Sequence, residues 1–425
     1  MMDGLPELVC GCDGGRDHVP LKPVEKAVEI AVGMVQPLTA VEDVAVHKAR
    51  GRVLARSLRA GRPMPLFDNS AMDGFAVAFS DFAGEGPWHL PVAGTIAAGA
   101  AALVLTAGTA LRIFTGAPVP AGSDAVVMQE KCDDRGDTVL IHVRPRRGDN
   151  IRRAGEDIAS GDLLVSAGTM LGGRHVGLLA GNGHGHIPVV RRPRIAVLST
   201  GDELGEEGAS IHDANRPMLL ALCEGLGAEM TDLGICPDDM DRMTDIFLTS
   251  AGRFDLILTS GAASVGGRDF VRPALLAAGG TVEAWRVALK PGKPVFFGRI
   301  AGTLVTGLPG NPLSAYVGFQ LFVARQIGAM LGLGGPSARP ETAVAGVGWE
   351  RRPGRTEYLP GQVVGRTESG LPIVEPLGHG SSAALMPLSL GDGVIVLAAD
   401  SMHVARGDVI DWMPFCRKDL SWKIT

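Results

Sequence analysis

The sequence predicts a multi-domain protein of α/β and β parts: a parallel, helix-covered α/β sheet domain, an inserted mostly-β domain, a helical linker domain and a C-terminal β barrel. Three observations predict it. The chain has 425 residues, more than the roughly 250–300 at which one core stops growing, so it divides into two to four domains, roughly. From Arg194 the strand-type runs RIAVLST, AEMTDLGI and FDLILTS alternate with the helical runs MLLALCEGL and DRMTDIFLTSA, the pattern of a parallel sheet covered by helices. On either side, Gly61 to Asn150 and the chain from about Pro336 give short β-type runs between glycine and proline turns, the pattern of small sandwiches or barrels.

Taken in order, the leader holds Cys10 and Cys12 with Asp13 and His18 nearby. A metal-binding tail is conceivable, but one C-x-C supplies too few ligands to close a tetrahedral site, so a disordered leader is the preferred reading. Pro23 begins an amphipathic helix on Val24, Ala27, Val28, Ala31 and Val35, and Pro37 helps to end it. This segment, as residues 1–60, is expected to join 150–190 in one discontinuous domain, with 61–149 inserted as the mostly-β domain. His184 and His186 form an H-x-H pair able to ligate a metal, but they sit at a Gly-punctuated helix exit, which favours a solvated turn. Residues 191–335 carry the α/β domain. There Asn215 with Pro217 marks one helix start, Asp238 or Asp239 another, and Gly225 or Gly227 a stop. Residues 336–425, with VVGR, PIVEPL, VIVLAA and DVIDWM, carry the barrel.

Composition narrows the partners. Charged residues make up 20% of the chain and the net charge is -6, which argues against nucleic acid, whose binding needs a basic excess. No run approaches the roughly 18 apolar residues of a membrane helix, and the start MMDGLPELVC has neither a basic n-region nor an apolar h-region. A cytoplasmic protein without membrane attachment is expected. Cys132, Cys223, Cys236 and Cys416 lack metal-ligand spacing and read as reduced core or surface thiols.

The candidate chemistry lies at strand ends, where open α/β sheets bind ligands. The strand around Leu256, Ile257 and Leu258 opens into SGAASVGGRD, and Ser260, Gly261, Ser264 and Gly266 make an anion cradle in which small residues let phosphate approach the backbone. The acids Asp202 and Glu203, Asp238 and Asp239, and Asp269 can together bind a hard cation such as Mg2+. Helix capping explains Asp238 or Asp239, taken singly, equally well, and turn geometry explains Asp202. Glu206 and Glu207 read as solvated loop. LKPGKPVFFG aims Lys290 and Lys293 to one side of a Pro-Gly turn as partners for oxyanions, with solvated surface lysines as the alternative. GLPGNPLSAY sets Pro309, Gly310, Asn311 and Pro312 at the head of a long helix, with Asn311 as N-cap; this accounts for the spacing and also makes a second anion site. In the inserted domain, Asp68, Asn69, Ser70 and Asp73 crowd one loop and Thr115 with Gly116 another. Arg152 and Arg153, beside Glu156 and Asp157, read as oxyanion ligands or as a surface ion-pair network.

The motifs FDNSAMDGFAV, FTGAPVP, NIRRAGEDI, LSTGDEL, NRPMLLALCEGLGAE, KPGKPVFFG and GLPGNPLSA, in this order, closely resemble the MoeA/gephyrin E-domain family of molybdenum insertases over roughly residues 20 to 415. The resemblance implies that molybdate is inserted into the dithiolene of adenylated molybdopterin with release of AMP and help from a divalent metal. It makes the α/β domain the molybdopterin-binding domain and 1–60 with 150–190 a linker and dimerisation domain. It implies an elongated homodimer whose cleft combines the inserted domain of one subunit with the α/β and C-terminal domains of the other, and partners such as molybdopterin adenylyltransferase and molybdoenzymes or cofactor-delivery proteins. Carried over by position, Asp68, Thr115, Asp157, Glu203, Asp238 and Asp269 become the functional acids and hydroxyl, with Glu203, Asp238 and Asp269 on the metal. Lys290, Lys293, Pro309 and Pro312 shape the pterin and phosphate pocket. This chain departs from the family pattern SGGVSVGE at Ala262, Ala263 and Gly267, and has Phe75 and Ala78 in place of Tyr and Arg. A non-catalytic paralogue that binds molybdopterin or a partner enzyme is the alternative.

Overall fold

The computed structural model describes residues 21–101, 103–205, 210–261, 270–333, 340–378 and 380–415. The leader cysteines Cys10 and Cys12, Cys416, the acids Glu206 and Glu207, and the cradle residues Ala262 to Asp269 lie outside the described residues. The chain divides into two compact units, Asp43–Val189 and the described parts of Met1–Glu42 with Val190–Thr425. Among the described residues no helix is long and apolar enough to cross a membrane.

In the Asp43–Val189 unit, a six-stranded sheet runs in the order Ala125–Met128, Gly74–Val77, Ala110–Ile113, Trp88–Ile96, Thr138–Ile141, Cys132–Asp134. Gly74–Val77 is buried throughout while Thr138–Ile141 alternates in burial, and Phe75, Phe82, Leu90, Val127, Val139 and Ile141 fill one core. Val46, Leu54, Leu171, Leu179, Ile187 and Val189 fill another around helix Gly173–Gly181. Thus the segments flanking the insertion own a separate apolar centre.

In the other unit, a six-stranded sheet is ordered Glu229–Cys236, Arg194–Thr200, Leu256–Ser260, Thr303–Leu308, Phe296–Ile300, Thr281–Trp285. The first four strands are mutually parallel; the last two add antiparallel, because a tight turn joins Phe296–Ile300 to Thr303–Leu308. Residues Ile195 to Leu198 and Leu256 to Leu258 are all buried, as strands covered on both faces must be. Met243, Phe247, Val271, Ala274 and Leu275 of helices Met240–Ser250 and Val271–Ala277 pack on Ala196, Leu198, Ile257 and Val305. Cys223 and Cys236 are buried and free, and burial pushes the Cys223 thiol up to about 12, so the reading of reduced core thiols holds for them.

Helix Val24–Gly33, grouped with 150–190 in the sequence reading, packs here on Phe319–Val323 and Ala324–Met330 of the α/β unit. Its apolar face fixed that it packs, not on what. Gln326, fully buried, is the tie: its amide nitrogen donates to the Ala31 carbonyl (3.3 Å), and its amide oxygen accepts from Thr306 Oγ1 (2.9 Å).

The C-terminal strands close a five-stranded barrel: Thr356–Arg366, Pro372–Pro376, Glu341–Ala345, Val409–Pro414 and Gly393–Leu397 pair in that order, and the last pairs back to the first. Leu359, Val374, Ile395, Leu397 and Trp412 fill it.

At the amino ends of the central strands, Arg191 grips Asp255 with two parallel bonds of 2.7 Å, and the Arg194 backbone N–H donates to the same carboxylate at 2.7 Å. Burial raises the Asp255 pKa, but these donors and the Arg191 charge outweigh it and hold the group below its ordinary value. A depressed carboxylate adds stability above its unfolded pKa, about 3.9, and loses it as pH falls through the folded value. Asp255→Asn should therefore destabilise by about 1–3 kcal/mol at pH 7. Urea unfolding at pH 7 and pH 3 checks this: the variant should lose less stability on acidification than wild type.

Candidate functional site

In the α/β unit, the chain leaves strand Arg194–Thr200 toward Glu229–Cys236 on one side and then returns to Leu256–Ser260 on the other. That reversal is a topological switch point, where such sheets open a crevice. Register sets the strand ends level: Thr200 lies opposite Cys236, Ser199 opposite Ser260, and Ser260 opposite Leu308. Four loops therefore leave one edge of the sheet together, those carrying Asp202 and Glu203, Asp238, Gly261, and Pro309 to Pro312.

Their backbones come close. Gly261 has φ +96°, and a Cβ there would overlap the Thr200 carbonyl oxygen; only glycine fits. A Cβ on Gly310 would meet Gly261 Cα at 3.3 Å. Asn215, which the sequence offers only as a helix start, joins these loops. Its buried amide donates to Ser260 Oγ (2.7 Å) and to the Gly310 carbonyl (2.6 Å), while its own Oδ1 is buried with no partner among the described residues.

The acids sort by role. Asp239 caps helix Met240–Ser250, accepting from the Arg242 N–H at 2.9 Å, so the cap is Asp239 and Asp238 stands one residue before it. Asp202 Oδ1 accepts the Asp238 N–H at 3.0 Å, joining two strand ends. The Glu203 carboxylate lies over Gly201, whose added Cβ would collide with it. Among the described residues no group of three or more His, Cys, Asp or Glu has the arrangement of a metal site; Asp269, the third acid of the expected set, lies outside them with Ser264 and Gly266.

The lysine turn meets the helix head. A Cβ on Gly292 would reach Ser314 Cβ at 3.2 Å and Pro309 Cγ at 3.5 Å, so KPGKP packs on GLPGNPLS. The two lysines differ. Lys290 Nζ is 2.7 Å from Glu357 Oε1, and buried Arg351 Nε holds the other oxygen at 2.9 Å. Lys293 has no ion-pair partner among the described residues. Asn311 and Pro312 take the N-cap and first helical positions of Pro312–Gly318, yet the Asn311 side chain donates to Ser382 Oγ (2.8 Å) and makes no capping bond.

In the Asp43–Val189 unit, residues Met64 to Ser70 pair antiparallel with Ile151 to Ile158. That pairing puts Asp68 opposite Arg153: its two oxygens take the Ala154 N–H (2.8 Å) and Arg153 Nη1 (2.6 Å). The Ala154 bond first, then Arg153 by hydrogen bond and charge, hold Asp68 below the usual carboxylate range against slight burial. Thr115 is not joined to Asp68. Its N–H and Oγ1 both bind Asp73 Oδ1, at 2.7 and 2.8 Å, lowering the Asp73 pKa. Asp157 donates its N–H to the Met64 carbonyl and lines a pocket with Arg62 and Arg152.

Family models match in series: the MoeA N-terminal region (domain I and II) at residues 22–183, a probable molybdopterin binding domain at 196–329, and the MoeA C-terminal region (domain IV) at 342–415. A molybdopterin molybdenumtransferase of Haemophilus influenzae is 35% identical over 385 residues, covering 89% of this chain and 94% of the relative. The chain belongs to the MoeA family. Molybdopterin molybdenumtransferase 2 of Mycobacterium tuberculosis is 36% identical over 378 residues, 86% of this chain and 92% of its own. Among solved structures, the molybdopterin biosynthesis MoeA protein of Pyrococcus horikoshii superposes with a TM-score of 0.78 at 28% identity, over 93% of this chain and 99% of its own. The MoeA relationship agrees with the chain order found here, the Asp43–Val189 unit first, then the α/β sheet and then the closed barrel.

Two substitutions test the junction. Gly261→Ala should destabilise by about 1–3 kcal/mol, since the methyl meets backbone that cannot yield. Asn215→Ala should lose about 1–3 kcal/mol by stranding the Gly310 carbonyl. Urea midpoints measure both, and wild-type values would mean that the loops do not touch as described.

Proposed function

We propose that this MoeA-family chain is a molybdopterin molybdenumtransferase, acting in molybdenum cofactor biosynthesis by transferring molybdenum from molybdate to adenylated molybdopterin with release of AMP. One observation carries the reading most: the level strand ends bring a glycine-tight loop, a helix start, Lys293 with no ion-pair partner among the described residues, and carboxylates to one edge of the sheet. Backbone N–H groups and Lys293 suit phosphate and molybdate oxygens; carboxylates suit the N–H groups of a pterin or a hard cation. On this reading Ser260, Gly261, Lys293, Pro309, Asn311 and Pro312 shape the binding surface with Ser264 and Gly266. Lys290 contributes through its pairing with Glu357, which fixes the turn. Asp68, Thr115, Asp157, Glu203, Asp238 and Asp269 are the groups that act on substrate.

A divalent cation, with Mg2+ proposed, belongs to the same reading. Glu203 and Asp238 on adjacent strand ends supply hard oxygen donors, and Asp269 would add a third. When bound, such an ion would neutralise phosphate oxygens. The chain's own share is independent of it: the N–H groups of the Gly261 loop hold the phosphate, and Glu203 orients a ring or water N–H or O–H donor.

The finer features are proposals on the same footing: a homodimer, the four-part division at 1–60 with 150–190, 61–149, 191–335 and 336–425 but with helix Val24–Gly33 going to the α/β part on which it packs, cytoplasmic location, and exchange with molybdopterin adenylyltransferase and molybdoenzymes or delivery proteins. A non-catalytic paralogue is not favoured, since Asp68, Asp157, Glu203 and Asp238 are all present. Complementation of an insertase-deficient strain at low molybdate separates the two. Wild type should restore molybdoenzyme activity, whereas Asp68→Asn and Glu203→Gln should lower purified insertion at least about a hundredfold while keeping the fold. Near-wild-type rates in both variants would remove these acids from the mechanism.

A further inference from the structure

We infer that Asp202 is a positioning residue: its carboxylate accepts the backbone N–H of Asp238 and so sets that acid against Glu203, instead of joining the acids that face a ligand. This rests on the function proposed above, in which Glu203 and Asp238 act on substrate. The sequence alone puts Asp202 among those acids; the hydrogen bonds separate it from them.

The ends of two parallel strands explain why a side chain is needed there. Thr200 lies opposite Cys236, and the Gly201 N–H extends the ladder by one bond, donating to the Cys236 carbonyl at 3.3 Å. In a parallel ladder the next bond would run back from the Asp238 N–H to the Gly201 carbonyl. That carbonyl is turned instead to the Leu204 N–H, 3.2 Å away, which closes the turn Gly201–Leu204. Asp202 Oδ1 takes the Asp238 N–H in its place, at 3.0 Å. A side-chain oxygen thus continues the ladder where the main chain has left it.

The same turn sends two consecutive acids to different places. Gly201 has φ +139°, and a Cβ on it would collide with the Glu203 carboxylate, so only glycine leaves room for that group. Glu203 therefore folds back over the turn, while Asp202 reaches across to the neighbouring strand end. The Ile211 N–H donates to the Glu203 carbonyl at 2.8 Å and fixes the turn on its far side. Because Asp202 and Glu203 share this turn, the bond to Asp238 also fixes where Asp238 stands relative to Glu203.

Asp238 is held from its other side by the helix that follows. The Asp239 N–H donates to the Pro237 carbonyl at 2.7 Å, and Asp239 Oδ1 caps Met240–Ser250 through the Arg242 N–H at 2.9 Å. One acid is thus spent on the helix and another on the strand junction. The Asp202 bond takes the Asp238 N–H and not its carboxylate, so it sets the residue's place without spending its charge. Support of this kind counts most where an ångström of misplacement is costly.

Variants of the full chain test the assignment. Asp202→Ala removes the acceptor, Asp202→Asn keeps an acceptor oxygen but removes the charge, and a double variant joins Asp202→Ala to Asp238→Asn. Amide hydrogen exchange followed by NMR, without ligand, reads the tie itself. The Asp238 N–H should exchange about tenfold faster in Asp202→Ala, the effect of one lost hydrogen bond, and stay within about twofold of wild type in Asp202→Asn. In insertion assays Asp202→Ala should lower kcat about ten- to a hundredfold with the molybdate KM little changed, while Asp202→Asn stays within about threefold of wild type. Asp202→Ala should add nothing to the loss from Asp238→Asn, since it acts through that residue. Insertion as slow in Asp202→Asn as in Asp202→Ala would mean that the charge itself acts, and overturns the assignment. Unchanged Asp238 exchange in Asp202→Ala, or additive losses in the double variant, overturns it too. If Asp202→Ala does not fold, Asp202→Asn decides alone: retained insertion supports the assignment, and lost insertion with the Asp238 N–H still protected overturns it. Wild type without insertion activity overturns the function alone, and exchange at Asp238 then still decides whether Asp202 sets it.

Discussion

The architecture of the α/β edge depends on one close approach, the backbone of Gly261 against the Thr200 carbonyl. No side chain fits between them, so strand Leu256–Ser260 must end in glycine for its loop to turn across its neighbour. Once it does, Gly310 can lie on Gly261, and helix Pro312–Gly318 can begin at the same edge. Asn215 makes the arrangement single-valued, because its one amide nitrogen serves two loops at 2.6 and 2.7 Å. Its Oδ1, buried with no partner among the described residues, would cost about 1–3 kcal/mol if left unmet. Buried groups left unmet in this way cluster where structure is held for binding.

Charge is divided just as deliberately. Glu357 takes both Lys290 and Arg351, and Asp255 takes Arg191. These pairs sit where the elements join and leave little field for a ligand. Asp68 and Asp73 are held ionised by backbone N–H bonds together with Arg153 and Thr115. Lys293, at the turn that packs on the Pro309–Pro312 loop, has no ion-pair partner among the described residues. Anion recognition at the sheet edge should draw on it.

Much of the fold was legible because period and punctuation agreed. RIAVLST, AEMTDLGI and FDLILTS became the strands Arg194–Thr200, Glu229–Cys236 and Leu256–Ser260, and Asn311-Pro312 opened a helix. The antiparallel edge of that sheet was less so, since Phe296–Ile300 reads alike in either direction. The surroundings of Val24–Gly33 were hidden, because an apolar stripe specifies burial without naming its cover. Site roles were harder still. Asp238 and Asp239 are indistinguishable in sequence, and only the bond to Arg242 N–H assigns the cap. The Lys290 partner lies in the barrel, and Asn215 looks like any helix start. Such long-range polar ties have no periodicity to betray them.

The central claim is that substrate docks on the level strand ends of the α/β sheet. Hydrogen exchange of the full chain, with and without adenylated molybdopterin, tests it most directly. The account predicts slowed exchange at Thr200–Leu204, Gly261 and Gly310–Ser314, where the loops converge. Unchanged exchange at all three, with protection confined to the barrel or to helix Val24–Gly33, would contradict it.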